Sequence, residues 1–436
     1  MNERSSTSAT RPLSGRDLRT LILAALGGAL EFYDFIIFVF FATVIGHVFF
    51  PADMPEWLSQ LQTLGIFAAG YLARPLGGVV MAHFGDRFGR KRMFTFSVFL
   101  MAIPTLLLGL TPTYATLGYA APILLLVFRI LQGAAIGGEA PGAWVFVAEH
   151  APARRIGLAC GMLTGGLTGG IMLGSLMATA VTSAFAPEEV AAWAWRIPFV
   201  VGGLFGLGAM HLRRFLHETP VFEELRQRAA LSRDLPLKTV LQGHGRAVAV
   251  SMLMTWMLTA AIVVVILITP TLFQRLYHFS AAETLQANLA GTFALTACAM
   301  LVGALLDRFG TLRVMLPGGL ALGATALALY TLAPAHPALL LPLYALAGAA
   351  VGIISVVPYV MVKAFPPAIR FTGLSFSYNM AYAVAGGLTP PLIQGLAAWN
   401  HAGPAWYVAA LGLVGMVTVV WHARATPRVA VPAPAE

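Results

Sequence analysis

Charged side chains are scarce in this chain of 436 residues, at 10% of the total, against about a quarter in soluble domains. A water-soluble protein of that length would have too little polar material to cover its surface. Cysteine is scarcer still: Cys160 and Cys298 each lie inside an apolar run, which excludes a disulfide framework and a thiolate metal site. The ten histidines fall mostly at the ends of apolar runs or in connectors, with no spacing suited to a metal. Gly165, Gly166, Gly169, Gly170 and Gly174 lack the following Lys-Ser/Thr of a phosphate loop, so they mark a helix face that packs closely. No nucleophile and base stand together, and an enzyme is not expected. Nor is a cofactor; energy for any work must come from an ion or solute gradient.

What fills the chain is apolar. The hydrophobic class is 58% of residues and the mean hydropathy is +0.79, in uninterrupted runs of about twenty residues that suit helices crossing a bilayer rather than barrel strands. The expected fold is therefore an all-α polytopic membrane protein. Twelve candidate spans fall at about 18–47, 59–84, 92–111, 119–149, 156–182, 196–213, 247–274, 284–306, 312–333, 337–362, 371–397 and 404–423. The implied organisation is a tail (1–17), a six-helix bundle (18–213), a central loop (214–246), a second six-helix bundle (247–423) and a tail (424–436). Six spans on either side of a polar connector suggest an internal repeat.

The net charge of +9 is not a nucleic-acid signal, because 23 of the 27 Lys and Arg sit in the tails and in alternate connectors. The opposite connectors hold Arg275 beside Asp53, Glu56, Glu188, Glu189 and Glu283. By the positive-inside rule both tails and the central loop belong in the cytoplasm. Arg213 through Arg246 are counted with that loop.

Few ionisable residues remain within the spans, and each is a candidate for function. Glu31 and Asp34 lie mid-span, three residues apart on one helix face, and are the candidates for carrying a proton, Asp34 first with Glu31 as its coupled partner. Arg129 keeps its charge in a cavity and can hold a carboxylate, in a solute or in span one. Arg74 is equally deep. Glu139 stands between glycines before Pro141, and a buried structural salt network is the competing explanation for it and for Arg129. Arg196 follows Trp193 and Trp195 as an interfacial anchor. Spans seven to twelve contain no acidic residue well inside; they offer Trp256, Tyr359, Tyr378 and Asn379 as neutral solute contacts.

The connector Gly85-Asp86-Arg87-Phe88-Gly89-Arg90-Lys91-Arg92 pairs turn-forming glycines with a carboxylate that can hold a neighbouring helix end or a cation. Asp307-Arg308-Phe309-Gly310 repeats its core after span eight. Gly85, Asp86, Arg87, Gly89, Arg90, Asp307 and Arg308 are the expected conformational gate, with a weaker latch on the second side, where Thr311-Leu312-Arg313 replaces the Arg-Lys continuation.

These motifs, with Arg-x-x-Gln-Gly at 129–133, resemble signatures of the major facilitator superfamily. Glu31-Phe32-Tyr33-Asp34-Phe35, Gly137-Gly138-Glu139, Trp195-Arg196-Ile197-Pro198-Phe199, Glu218-Thr219-Pro220-Val221-Phe222, and Phe365-Pro366 followed by Arg370, Tyr378-Asn379 and Gly386-Gly387 resemble its metabolite:proton symporters, which include proline/betaine, α-ketoglutarate, shikimate and citrate carriers. The resemblance spans most of 20–423. It implies two bundles rocking about a central site, proton symport as the driving force, and a multi-pass protein of a bacterial inner membrane. Glu31, Asp34, Arg129 and Glu139 would then couple protons.

The expected solute is a small hydrophilic organic acid, imported and held by Arg129 or Arg74 with Tyr359, Tyr378 and Asn379. A zwitterion such as betaine or proline is the alternative, with its cationic head among Phe32, Tyr33, Trp256 and Tyr378. Drug export by proton antiport ranks lower. The expected partners are solute, proton and lipid, with no nucleic acid, and the expected working unit is a monomer.

Overall fold

The computed structural model describes residues 14–228 and 236–425. Most of the two expected tails, and 229–235 of the central loop, lie outside the described residues. The long helices are α1 (Gly15–Phe40), α2 (Glu56–Phe88), α3 (Arg90–Leu110), α4 (Ala120–His150), α5 (Ile156–Ala184) and α6 (Arg196–Arg213). Then come α7 (Gly245–Ala260), α8 (Ala281–Phe309), α9 (Thr311–Ala335), α10 (Leu340–Val351), α11 (Arg370–Trp399) and α12 (Gly403–Ala425). A π-helical stretch, Ala261–Ile268, carries α7 on into Thr269–Tyr277, and a tight turn, Gly352–Ser355, carries α10 into Val356–Ala364.

Local chemistry sets the ends. Ser14 caps α1, accepting from the Asp17 N–H at 3.2 Å while the Asp17 carboxylate accepts from the Ser14 N–H at 2.8 Å, a reciprocal box that satisfies two groups otherwise orphaned. Ser280 and Glu283 repeat it at α8. Pro75, Pro104 and Pro141 lie inside helices, tolerable in a membrane where neighbours take up the freed carbonyls.

Ten of the described helices are long and apolar enough to cross a membrane, and Pro187–Ala194 with Arg196–Arg213, bent by 45°, makes an eleventh if taken as one span. The 30-residue α11 is not in that set. It buries Thr372, Ser375, Ser377, Tyr378 and Asn379, so polar side chains of this helix lie inside the protein.

Within the first six long helices α1 packs on α5, α4 and α6, α2 on α4, and α3 on α6 and α4. Within the last six α7 packs on α11 and α12, α8 on α10, and α9 on α12 and α10. Two seams join the sets: α5 against α8, and α11 against α2 and α4. At the α5–α8 seam a Cβ on Gly161 would lie 2.7 Å from the Ala299 carbonyl oxygen, and Thr168 Oγ1 meets Thr296 Oγ1 at 3.1 Å. Beyond them the helices part around a cavity of about 400 Å3, lined by Phe41, Met172, Thr179, Gln286 and Asn288 among others. The seam is thus close-packed towards the basic end, with the cavity towards the other.

Candidate functional site

Residues 31 and 34 of α1 are separated by about 300° of helical rotation, which lets one face address two neighbours. Glu31 Oε1 meets Arg74 Nη2 of α2 at 3.5 Å, and Asp34 Oδ2 meets Arg129 Nη1 of α4 at 3.0 Å. Each acid of the expected proton-carrying pair therefore has its own arginine within reach.

The pairs differ in what surrounds them. Asp34 also accepts from Thr105 Oγ1 at 2.8 Å and from Gln132 Nε2 at 2.9 Å, while Gln132 Oε1 accepts from Arg129 at 2.9 Å. The Arg129 guanidinium lies 4.3 Å from the centre of the Phe38 ring. Both Asp34 carboxylate oxygens are thus held from α3 and α4, and Asp34 is fully buried.

Around Arg74 the supply of partners runs short. Its guanidinium lies 4.4 Å from the Tyr382 ring centre, 5.5 Å from Tyr71 and 5.8 Å from Tyr378. Tyr71 of α2 stacks on Tyr382 of α11, 6.0 Å apart and 9° from parallel. Yet Arg74 Nε and Nη2, Glu31 Oε2 and Asn379 Oδ1 are buried without a hydrogen-bond partner among the described residues. Buried polar groups are rarely left so. Between Arg74 and Arg129 the free space is about 10 Å3, scarcely one water, so a solute can enter only if the side chains around it move.

Close backbone approach makes this possible. A Cβ on Gly137 of α4 would collide with the Arg74 carbonyl oxygen, so glycine there lets α2 and α4 bring both arginines to one level. From the last six helices Asn379 donates to the Gly137 carbonyl at 2.7 Å, Ser375 donates to the same oxygen at 3.0 Å, and Tyr378 meets Trp144 edge-on.

Several expected site residues lie elsewhere. Glu139 pairs with Arg213 at 2.5 Å and accepts from Ser97, a fully buried contact among α3, α4 and α6 rather than part of the Arg74 cluster. Arg213, expected in the cytoplasmic loop, is buried as the last residue of α6. Tyr33 points away from Glu31, about 200° round α1, and its hydroxyl donates to the Pro198 carbonyl at 2.8 Å. Trp256 is 40% exposed and donates to the Tyr407 hydroxyl at 2.8 Å, so it stands on the outer flank. Tyr359 is engaged by Lys363. Arg196 donates to the carbonyls of Gly109 and Thr111 at 2.9 and 2.6 Å, an anchor on the end of α3. Tyr71 was missed, since aromatic side chains are common in ordinary packing; its spacing from Arg74 was the available signal.

At the basic end the segment 85–92 joins both sets of helices. Asp86 accepts from the Thr372 N–H and Oγ1, each at 2.9 Å, capping α11, and pairs with Arg90 at 3.4 Å. Arg90 pairs with Glu149 and donates to the Pro367 carbonyl at 2.5 Å. Glu149 takes Arg370 at 2.8 Å and accepts from Thr219 at 2.8 Å. Gly89 has φ +121°, a conformation that favours glycine, and a Cβ there would lie 2.5 Å from Glu218 Oε2. Glu218 accepts from the N–H of Arg90 and of Lys91. Gly85 faces Phe371 closely, and Arg87 is half-buried.

On the other seam Asp307 accepts from the N–H groups of Gly157 and Leu158 at 2.7 and 2.8 Å, capping α5. Arg308, expected in the gate, is exposed, with its guanidinium over the Phe309 ring. Among the described residues no group of three or more His, Cys, Asp or Glu could hold a metal ion.

The sequence pattern of the family described as Major Facilitator Superfamily matches residues 24–390. A citrate-proton symporter of Klebsiella pneumoniae is 31% identical over 431 residues, covering 96% of each chain. A proline/betaine transporter of Escherichia coli K12 is 30% identical over 426 residues, covering 93% of this chain and 83% of the other. Among solved structures, the proton:xylose symporter XylE bound to 6-bromo-6-deoxy-D-glucose shares the fold, with a TM-score of 0.76, 19% identity, and coverage of 94% and 96%.

Proposed function

Because this chain belongs to the major facilitator superfamily, a family of transporters rather than enzymes, we propose that it moves a small zwitterion such as betaine or proline together with a proton. The observation that carries the reading is the Arg74 cluster, where a cation, an acid and three aromatic faces have hydrogen-bonding atoms to spare. A zwitterion presents its carboxylate to Arg74 and its cationic head to Glu31 and the faces of Tyr71 and Tyr382. A multiply charged anion would set its further carboxylates against Glu31. The curated relatives at about 30% identity named for proline and betaine support the same choice.

Residues 18–213 and 247–423 act as two six-helix bundles of a twelve-span protein, joined by 214–246. The basic end faces the cytoplasm, where Asp86, Arg90, Glu149 and Arg370 form the latch that rocking must break. The proton belongs to Asp34. When Asp34 is neutral, Arg129 loses its counter-charge and the network through Gln132 and Thr105 rearranges. Closure around solute and proton is favoured because unbalanced charge resists burial.

The organic-acid reading retains one specific support, the 31% identity to a citrate-proton symporter across nearly the whole of both chains. Proteoliposomes with an imposed pH gradient separate the two. Labelled betaine or proline should accumulate, and excess citrate should not compete. Accumulation of citrate unaffected by betaine would reverse the assignment.

A further inference from the structure

On the outer flank of α3 and α6, at the basic end, lies a crevice of about 490 Å3 lined by Lys91, Arg92, Thr95, Phe96, Phe99 and Met210. Because α3 begins at Arg90, Lys91 and Arg92 stand at the level of lipid headgroups, and Phe96 and Phe99 lie one to two turns deeper. The two rings are 46% and 42% exposed and stack 6.4 Å apart, making an apolar wall along the helix. Arg92 is exposed and makes no hydrogen bond or ion pair with another described residue. The Lys91 ammonium reaches the Arg214 carbonyl at 3.4 Å, and Glu218, the acid touching this turn, points its carboxylate at backbone N–H groups. Two cationic side chains therefore overhang an apolar groove, and among the described residues no carboxylate binds the charged end of either.

We propose that this crevice binds an anionic phospholipid, with its phosphate on Lys91 and Arg92 and one acyl chain along Phe96 and Phe99. Charge and greasiness are separated along the groove as they are in such a lipid, whereas a soluble anion would make no use of the aromatic wall. The lipid sits on the outer face of the turn whose inner face is Arg90, bound to Asp86 and Glu149 across the seam. Holding Lys91 from outside steadies that turn, so the bound lipid favours the form closed at the basic end. The binding site needs only the membrane fold; its effect on the latch rests on the gating reading above.

The test uses the full chain in nanodiscs of phosphatidylcholine with or without phosphatidylglycerol. Native mass spectra should show phosphatidylglycerol retained over phosphatidylcholine, and amides 89–91 should exchange more slowly when it is present. Arg92→Gln should weaken retention by roughly fivefold, the weight of one basic residue at a membrane surface. Phe96→Ala should weaken it further, and Arg92→Lys should restore it. All variants should match the parent in phosphatidylcholine alone, which separates lipid binding from misfolding. Equal retention by parent and Arg92→Gln would overturn the site. Retention that leaves exchange at 89–91 unchanged would overturn its link to the latch, while loss of solute uptake in the parent would bear on the transport reading alone.

Discussion

Glu31–Arg74 and Asp34–Arg129 begin from the same chemistry, three residues apart on α1, yet they are finished differently. Asp34 is enclosed by Thr105, Gln132 and Arg129, all from the first six helices. Glu31 and Arg74 face α11, and both retain polar atoms without a partner. A network that holds both carboxylate oxygens suits a group whose change of charge rearranges its neighbours. An incomplete one suits a ligand that arrives from outside. In the proposed mechanism the neighbours of each ion pair, more than its members, distinguish the proton site from the solute site.

The largest effect should come from opening the completed pair. Arg129→Gln leaves Asp34 buried without its counter-charge, a loss of about 3–5 kcal/mol, visible as a lower melting temperature in detergent and as failure to accumulate solute. Neutralising both members, Asp34→Asn with Arg129→Gln, should recover much of the thermal stability and none of the accumulation. If the single variant melts like the parent, the pair is not the buried unit described.

Arg74→Gln should act on the solute instead. Loss of a charge-assisted hydrogen bond worth roughly 1.5–3 kcal/mol weakens binding about ten- to a hundredfold, measured by calorimetry at fixed pH. Tyr382→Leu removes one aromatic face and the stack on Tyr71, so affinity should fall by about 0.5–2 kcal/mol for a quaternary ammonium head and much less for a plain carboxylate. That difference identifies the charge of the solute without reference to its transport. Smallest of all, Trp256→Phe on the outer flank should change stability by less than about 0.5 kcal/mol and leave uptake as it was.

Much of this was legible from residue order. The apolar runs gave the long helices because the bilayer restricts the choices, and the motif at 85–92 pointed to the turn that joins the two sets of helices. Arg129 was expected to hold a carboxylate in a solute or in span one, and it holds Asp34. What failed was direction round a helix axis. Tyr33 and Trp256 are aromatic residues in apolar runs like Tyr71 and Tyr382, and in lipid an outward face is as apolar as an inward one, so periodicity does not separate them. Arg213 failed for another reason: at a span's end a cation ordinarily reaches water, and only the fold shows Glu139 waiting inside. Glu149 stands at the end of α4, but its bond to Arg370 joins residues 221 positions apart, beyond any local pattern.

The division between proton site and solute site is tested most directly by counterflow, in which labelled solute exchanges across proteoliposomes at equal pH with no net proton movement. Asp34→Asn should lose accumulation driven by a pH gradient and keep counterflow; Arg74→Gln should lose both. Counterflow intact in Arg74→Gln, or abolished in Asp34→Asn with the fold preserved, would contradict the assignment.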